Sequence, residues 1–257
     1  MKLKLIALAA VLAAAGSANA APIANGSDGN GGLFFSIWDA GSSYSRNLNL
    51  TMDSFASVVA GAGAVDLSFA ADSTFTSFLA AADLASLKWN VVAGDNVGAR
   101  RLLETYSTLP AATVKNDIVR GATSGTAAFA TKLNAQLDSS DSTTFPAGTP
   151  GYAGNPAVFG VNAARLLNFS NAGTLANNSA ANGLNVMLIS GLATGLLAST
   201  YTPYVDGADA VKVYLDGSNA LHISAVTAVP EPESYAMLLA GLGLMGAIAR
   251  RRNKKSA

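Results

Sequence analysis

Two uncharged apolar runs, one at each end, decide how much of this 257-residue chain is free to build a core. The first, Leu5 to Ala15, follows Met-Lys-Leu-Lys and precedes Gly16-Ser-Ala18-Asn-Ala20. A positive start, an apolar segment of this length and a small-residue Ala18-x-Ala20 site predict a secretory signal peptide, with the mature chain beginning at Ala21. The second run, Tyr235 to Ala249, is stopped by Arg250, Arg251, Arg252, Lys254 and Lys255. That order predicts a stop-transfer helix with its basic cluster in the cytoplasm. The run is shorter than the roughly 20 residues of a comfortable span, so it crosses only with local thinning and snorkelling. The expected layout is a signal peptide at 1–20, an exported globular domain at 21–228 and a C-terminal segment at 229–257.

Removing the ends changes the electrostatics. The whole chain carries sixteen basic and sixteen acidic residues. Seven basic and two acidic residues belong to the ends, which leaves nine and fourteen, a body of net charge −5. Its only adjacent basic pair is Arg100-Arg101, so nothing resembles a nucleic-acid footprint. The chain has no cysteine. Disulfide scaffolds and thiolate metal sites are therefore excluded, and an exported domain of this kind is held by its core alone.

Within the body, periodicity predicts strands near both ends. Leu33 to Asp39 is aromatic and β-branched between glycines, and Tyr44 to Met52 alternates with Leu48, Leu50 and Met52 on one face. Leu87 to Ala93 alternates as well, and Gly94-Asp95-Asn96 reads as a turn into a strand over 99–107. Asn185 to Ser190 is a further strand. Ala210 to Leu215 and Ala220 to Val226, joined by Asp216-Gly-Ser-Asn219, form the clearest hairpin. Between these, Asp72 caps a helical run with Phe75, Phe78 and Leu79. Pro110 precedes a second, with Val114, Ile118 and Val119. Thr126 to Leu137 forms a third, separated from the second at Gly121 and Gly125. Residues 141–156 read as a loop, and 157–183 receive no assignment. The expected fold class is α+β or mainly β: a β-sandwich-like exported domain with inserted helices.

Catalytic constellations are scarce. The single histidine, His222, lies between Leu221 and Ile223 on a predicted strand, where a lone histidine is structural more often than catalytic. Gly121-Ala-Thr-Ser124-Gly125 sets its serine one place late for a nucleophile elbow. Glu104 is the only glutamate of the body, and a glycosidase needs two carboxyl groups flanking a sugar. Ser27-Asp-Gly-Asn30, Asp206-Gly-Ala-Asp209 and Asp216-Gly-Ser-Asn219 offer oxygen ligands but match no calcium loop, and read as turns. Gly241-x-Gly243-x-x-Gly246 lies inside the apolar tail without the strand and acidic partner of a dinucleotide site. It suits close helix packing instead. The residues predict a protein that is not an enzyme and has no catalytic, metal or cofactor site. The alternatives are a secreted carbohydrate-active or other hydrolytic enzyme with a nonlocal site, and a permanently anchored single-span membrane protein.

The C-terminal segment Val229-Pro230-Glu231-Pro232, followed by the apolar run at 235–249 and the basic tail at 250–255, resembles the PEP-CTERM sorting domain of Gram-negative bacteria. The resemblance covers the address and not the body. It implies export through the Sec machinery and anchoring in the inner membrane through the C-terminal helix. It implies processing near Pro230 to Glu233 by an exosortase-like membrane protease, then passage to the cell surface or extracellular matrix. It also implies an association with exopolysaccharide and biofilm. In that reading Ala18 and Ala20 mark the signal cleavage, Val229, Pro230, Glu231 and Pro232 the sorting motif, and Arg250, Arg251 and Arg252 the stop-transfer cluster.

Overall fold

The computed structural model describes residues 21–61, 64–109, 113–137, 141–159, 172–191 and 197–225. Residues 1–20, expected to be a signal peptide, the sorting motif, the apolar run at 235–249 and the basic tail lie outside the described residues. So does part of the unassigned stretch, 160–171. Among the described residues no helix is long and apolar enough to cross a membrane.

Among the described residues eleven strands form one antiparallel sheet: β1 (Gly32–Trp38), β2 (Ser42–Thr51), β3 (Asp66–Phe69), β4 (Lys88–Gly94), β5 (Arg101–Tyr106), β6 (Ser142–Pro146), β7 (Leu184–Ser190), β8 (Thr200–Pro203), β9 (Val205–Asp206), β10 (Asp209–Leu215) and β11 (Leu221–Ala225). Their order is β3-β11-β10-β7-β5-β4-β1-β2-β6, with β8 paired to β7 and β9 to β10. The mainly β expectation holds, but in place of a two-sheet sandwich there is a single curled sheet. Its curl shows where its two ends approach. Arg46 of β2 donates from Nη1 to the Ala70 carbonyl at 2.5 Å and lies 5.9 Å from the Phe69 ring of β3.

Alternation sends the strands' side chains to two cores on opposite faces. Leu33, Phe35 and Ile37 of β1 point inward with Trp89 and Val91 of β4 and Val211 and Val213 of β10. Helices α1 (Met52–Val59) and α2 (Ser73–Ala81) close that side with Phe55, Phe75 and Phe78. Phe34 and Trp38 point the other way, beneath helix α3 (Asn116–Asn134) and the short 3-10 turn Pro156–Phe159. Because both faces of the central strands are covered, every residue of β1 is buried, and the strand reads as a continuous apolar run.

Strands β3, β8 and β9 lie where no strand was expected, and three expectations are corrected. The two helices expected around Gly121 and Gly125 are one, α3. Each interior glycine costs about 1 kcal/mol against alanine. The stripe Val119, Ala122, Thr126, Phe129, Ala130 and Leu133, fully buried on the sheet, outweighs that. Met52 does not end β2 but opens α1, where Thr51 and Ser54 form a reciprocal capping box. Finally, Ser142–Pro146 is not loop but an edge strand on β2.

Candidate functional site

The β10–β11 turn brings together the residue types of a hydrolytic triad. Asp216 accepts at Oδ1 from the Ser218 hydroxyl at 2.7 Å and from the amides of Ser218 and Ala220 at 2.8 and 2.9 Å. Its Oδ2 lies 2.9 Å from His222 Nε2, and the imidazole stacks on Tyr214 with ring centroids 4.9 Å apart. Those donors, led by the Ser218 hydroxyl, hold the Asp216 carboxyl well below the usual carboxylate range. The connectivity is wrong for a triad. Ser218 donates to the aspartate and not to the histidine, so no base stands ready to take its proton. Asn219, with φ of 63°, supplies the left-handed residue that closes the turn. The group is a hairpin cap.

The other ionisable residues are similarly placed. Burial pushes the Asp39 carboxyl up, but the amides of Asp83, Ser42 and Gly41 outweigh it and hold its pKa below the usual value. Arg101, from the basic pair, reaches Asp95 at 2.6 Å, Asp53 at 2.8 Å and the Gly29 carbonyl at 2.7 Å. It thereby ties the N-terminal loop and the start of α1 to the sheet. Burial works to lower its pKa, and the two carboxylates more than reverse that. Glu104 is fully buried on β5, paired across the ladder with Val92 and Met187. Ser124 lies within α3 and not on a strand-to-helix turn.

Two of the oxygen-rich loops spend side-chain oxygens on distant backbone amides. Asn30 Oδ1 accepts from the Asp53 amide and Asp206 Oδ2 from the Val65 amide. Among the described residues no group of three or more His, Asp or Glu side chains is placed to hold a metal ion.

At the seam of the curl, Phe35, Tyr44, Arg46, Phe69, Phe75 and Leu221 line a pocket of about 10 Å³, the space of one water molecule. Tyr44 donates to Asp72 Oδ2 at 2.6 Å. Burial and that carboxylate push its hydroxyl well above the usual pKa. Asp72 uses its other oxygen to cap α2 through the Phe75 amide. Arg46, Tyr44 and Asp72 thus fasten the seam, a role that their separation in sequence hides.

These residues define an antiparallel β domain whose charged and hydroxyl groups hold turns and a seam. The C-terminal segment specifies more. Residues 228–253 match the family model of the PEP-CTERM protein-sorting motif. The chain carries that sorting motif at its C-terminal end, and the motif supports sorting to the cell surface by an exosortase-type system. No curated protein and no solved structure matches the chain.

Proposed function

We propose that the exported body is a non-catalytic component of the cell surface or matrix of a Gram-negative bacterium, working in association with exopolysaccharide. The Sec machinery delivers it with removal of residues 1–20. The run at 235–249, stopped by Arg250, Arg251 and Arg252, holds it in the inner membrane until the exosortase-type enzyme acts near Pro230 to Glu233. The observation that carries this reading is the sorting motif at 228–253. It is supported by the body's only histidine serving as part of a turn cap.

Intact-mass analysis of the surface fraction tests the route. A mature chain beginning at Ala21 and ending between Val229 and Glu233 is expected; a surface species still ending at Ala257 overturns it. Incubating the same material with exopolysaccharide tests the role. Co-sedimentation without release of reducing ends is expected, whereas sugar release abolished by Glu104→Gln would establish the enzyme instead.

A further inference from the structure

We propose that the exosortase-type enzyme meets the folded body as well as the tail, with the corner of the sheet where β11 ends as the contact surface. This rests on the reading that the chain is processed at 230–233. Ala225, the last residue of β11, is fixed on both sides. It pairs with Val211 of β10, and its amide donates to the Val65 carbonyl at 3.0 Å. Val65 is held in turn by Asp206, whose Oδ2 accepts the Val65 amide at 3.2 Å, and Ser224 pairs with Asp66 of β3.

Only Val226, Thr227, Ala228 and Val229 separate Ala225 from Pro230. Five residue steps reach at most about 18 Å, roughly the radius of gyration of a body of this size. On the far side the apolar run begins at Tyr235, two residues after Glu233. An enzyme that grips Pro230 to Glu233 at the bilayer therefore has the β3–β11 corner within that reach. Unpeeling β11 would free more chain, but Leu221 and Ile223 are 3% and 1% exposed in the inner core. The body arrives folded. The residues it presents at that corner include Asp66 and Ser68, the exposed positions of β3.

The test follows processing of the full chain in its host by pulse-chase and intact mass. Asp66→Arg, and separately deletion of Thr227 and Ala228, should each slow processing about ten-fold or more, since misplacement of about 1 Å can cost 100-fold at a reacting bond. Inserting Gly-Ser-Gly-Ser-Gly-Ser after Val226 should restore the Asp66→Arg chain to the wild-type rate, because the body then swings clear. Ser124→Arg, on the exposed face of α3, should change nothing, and equal melting temperatures of all secreted bodies exclude misfolding. Wild-type rates for both Asp66→Arg and the deletion overturn the contact while leaving the processing reading intact. A wild-type chain that is never processed overturns both.

Discussion

Trp89 and Gly173 hold each other in place through backbone and ring together. They exchange two backbone hydrogen bonds, 2.9 and 2.7 Å long, and the Trp89 indole Nε1 donates to the Thr174 carbonyl at 2.9 Å. The indole occupies the space a side chain on residue 173 would need: a Cβ there would stand 2.2 Å from the ring. Trp89 is fully buried in the inner core and has nowhere to retreat. Gly173→Ala is expected to destabilise the body by about 2–3 kcal/mol, as overpacking of a filled core does. At about 2–4 °C per kcal/mol for a domain of this size, thermal denaturation of the secreted body will register it.

Arg101 is the second sensitive point. The Asp95 side chain it covers is 3% exposed, so removing the guanidinium strands a buried carboxylate. Arg101→Ala should cost about 3 kcal/mol, the loss expected when one partner of a buried pair is deleted. Arg101→Lys should recover little, because one ammonium cannot reach Asp95, Asp53 and Gly29 at once. Urea midpoints of the three proteins decide it. The neighbouring Arg100 makes a control of equal charge.

Acid should weaken the fold in a defined direction. Asp39 and Asp216 have folded pKa values below those of the unfolded chain. Their stabilisation is complete above the unfolded value of about 3.9 and is lost as pH falls through the lower folded values. Asp39→Asn and Asp216→Asn should each lower the melting temperature at pH 7 and flatten its decline below pH 4. Tyr44 gives the opposite limb, since its folded pKa is raised. Its contribution is complete below about pH 10 and is lost above it, so Tyr44→Phe should flatten the alkaline decline. A melting series from pH 2 to 11 covers both limbs.

The legible parts of this fold were those in which local pattern and tertiary need agree. β1, β4, β7 and the β10–β11 hairpin announce themselves by alternation or by aromatic, β-branched runs, and Asp72 caps α2 as its position predicts. Where tertiary burial overrides local preference, the pattern misleads. α3 runs through Gly121 and Gly125 because its buried stripe demands it. β6 hides in a Ser-, Thr- and Pro-rich segment because an edge strand needs little apolar content. α1 did leave a signal, Thr51 and Ser54 ahead of Phe55 and Val59, at the end of a strand-like run. The ties Arg46–Ala70, Tyr44–Asp72 and Arg101–Asp53 span 24, 28 and 48 residues. No local pattern encodes such pairs.

The basic tail should govern retention. On the proposed anchoring, changing Arg250, Arg251 and Arg252 together to Ser removes most of the basic cluster that would stop transfer. The unprocessed chain is then expected to shift from the membrane pellet to the soluble periplasmic fraction after carbonate extraction. Val229, Pro230 and Glu231 remain unchanged in that variant, so loss of processing would trace to loss of membrane residence.

The way the sheet ends bears on life at a crowded surface. At one end β3 is four residues long, and its neighbourhood is occupied by the Arg46 guanidinium. At the other, β6 terminates in Pro146, which has no amide to offer a newcomer. Short or proline-ended rims deny incoming strands a template. At these two rims, edge-to-edge strand pairing between copies of the body is therefore disfavoured.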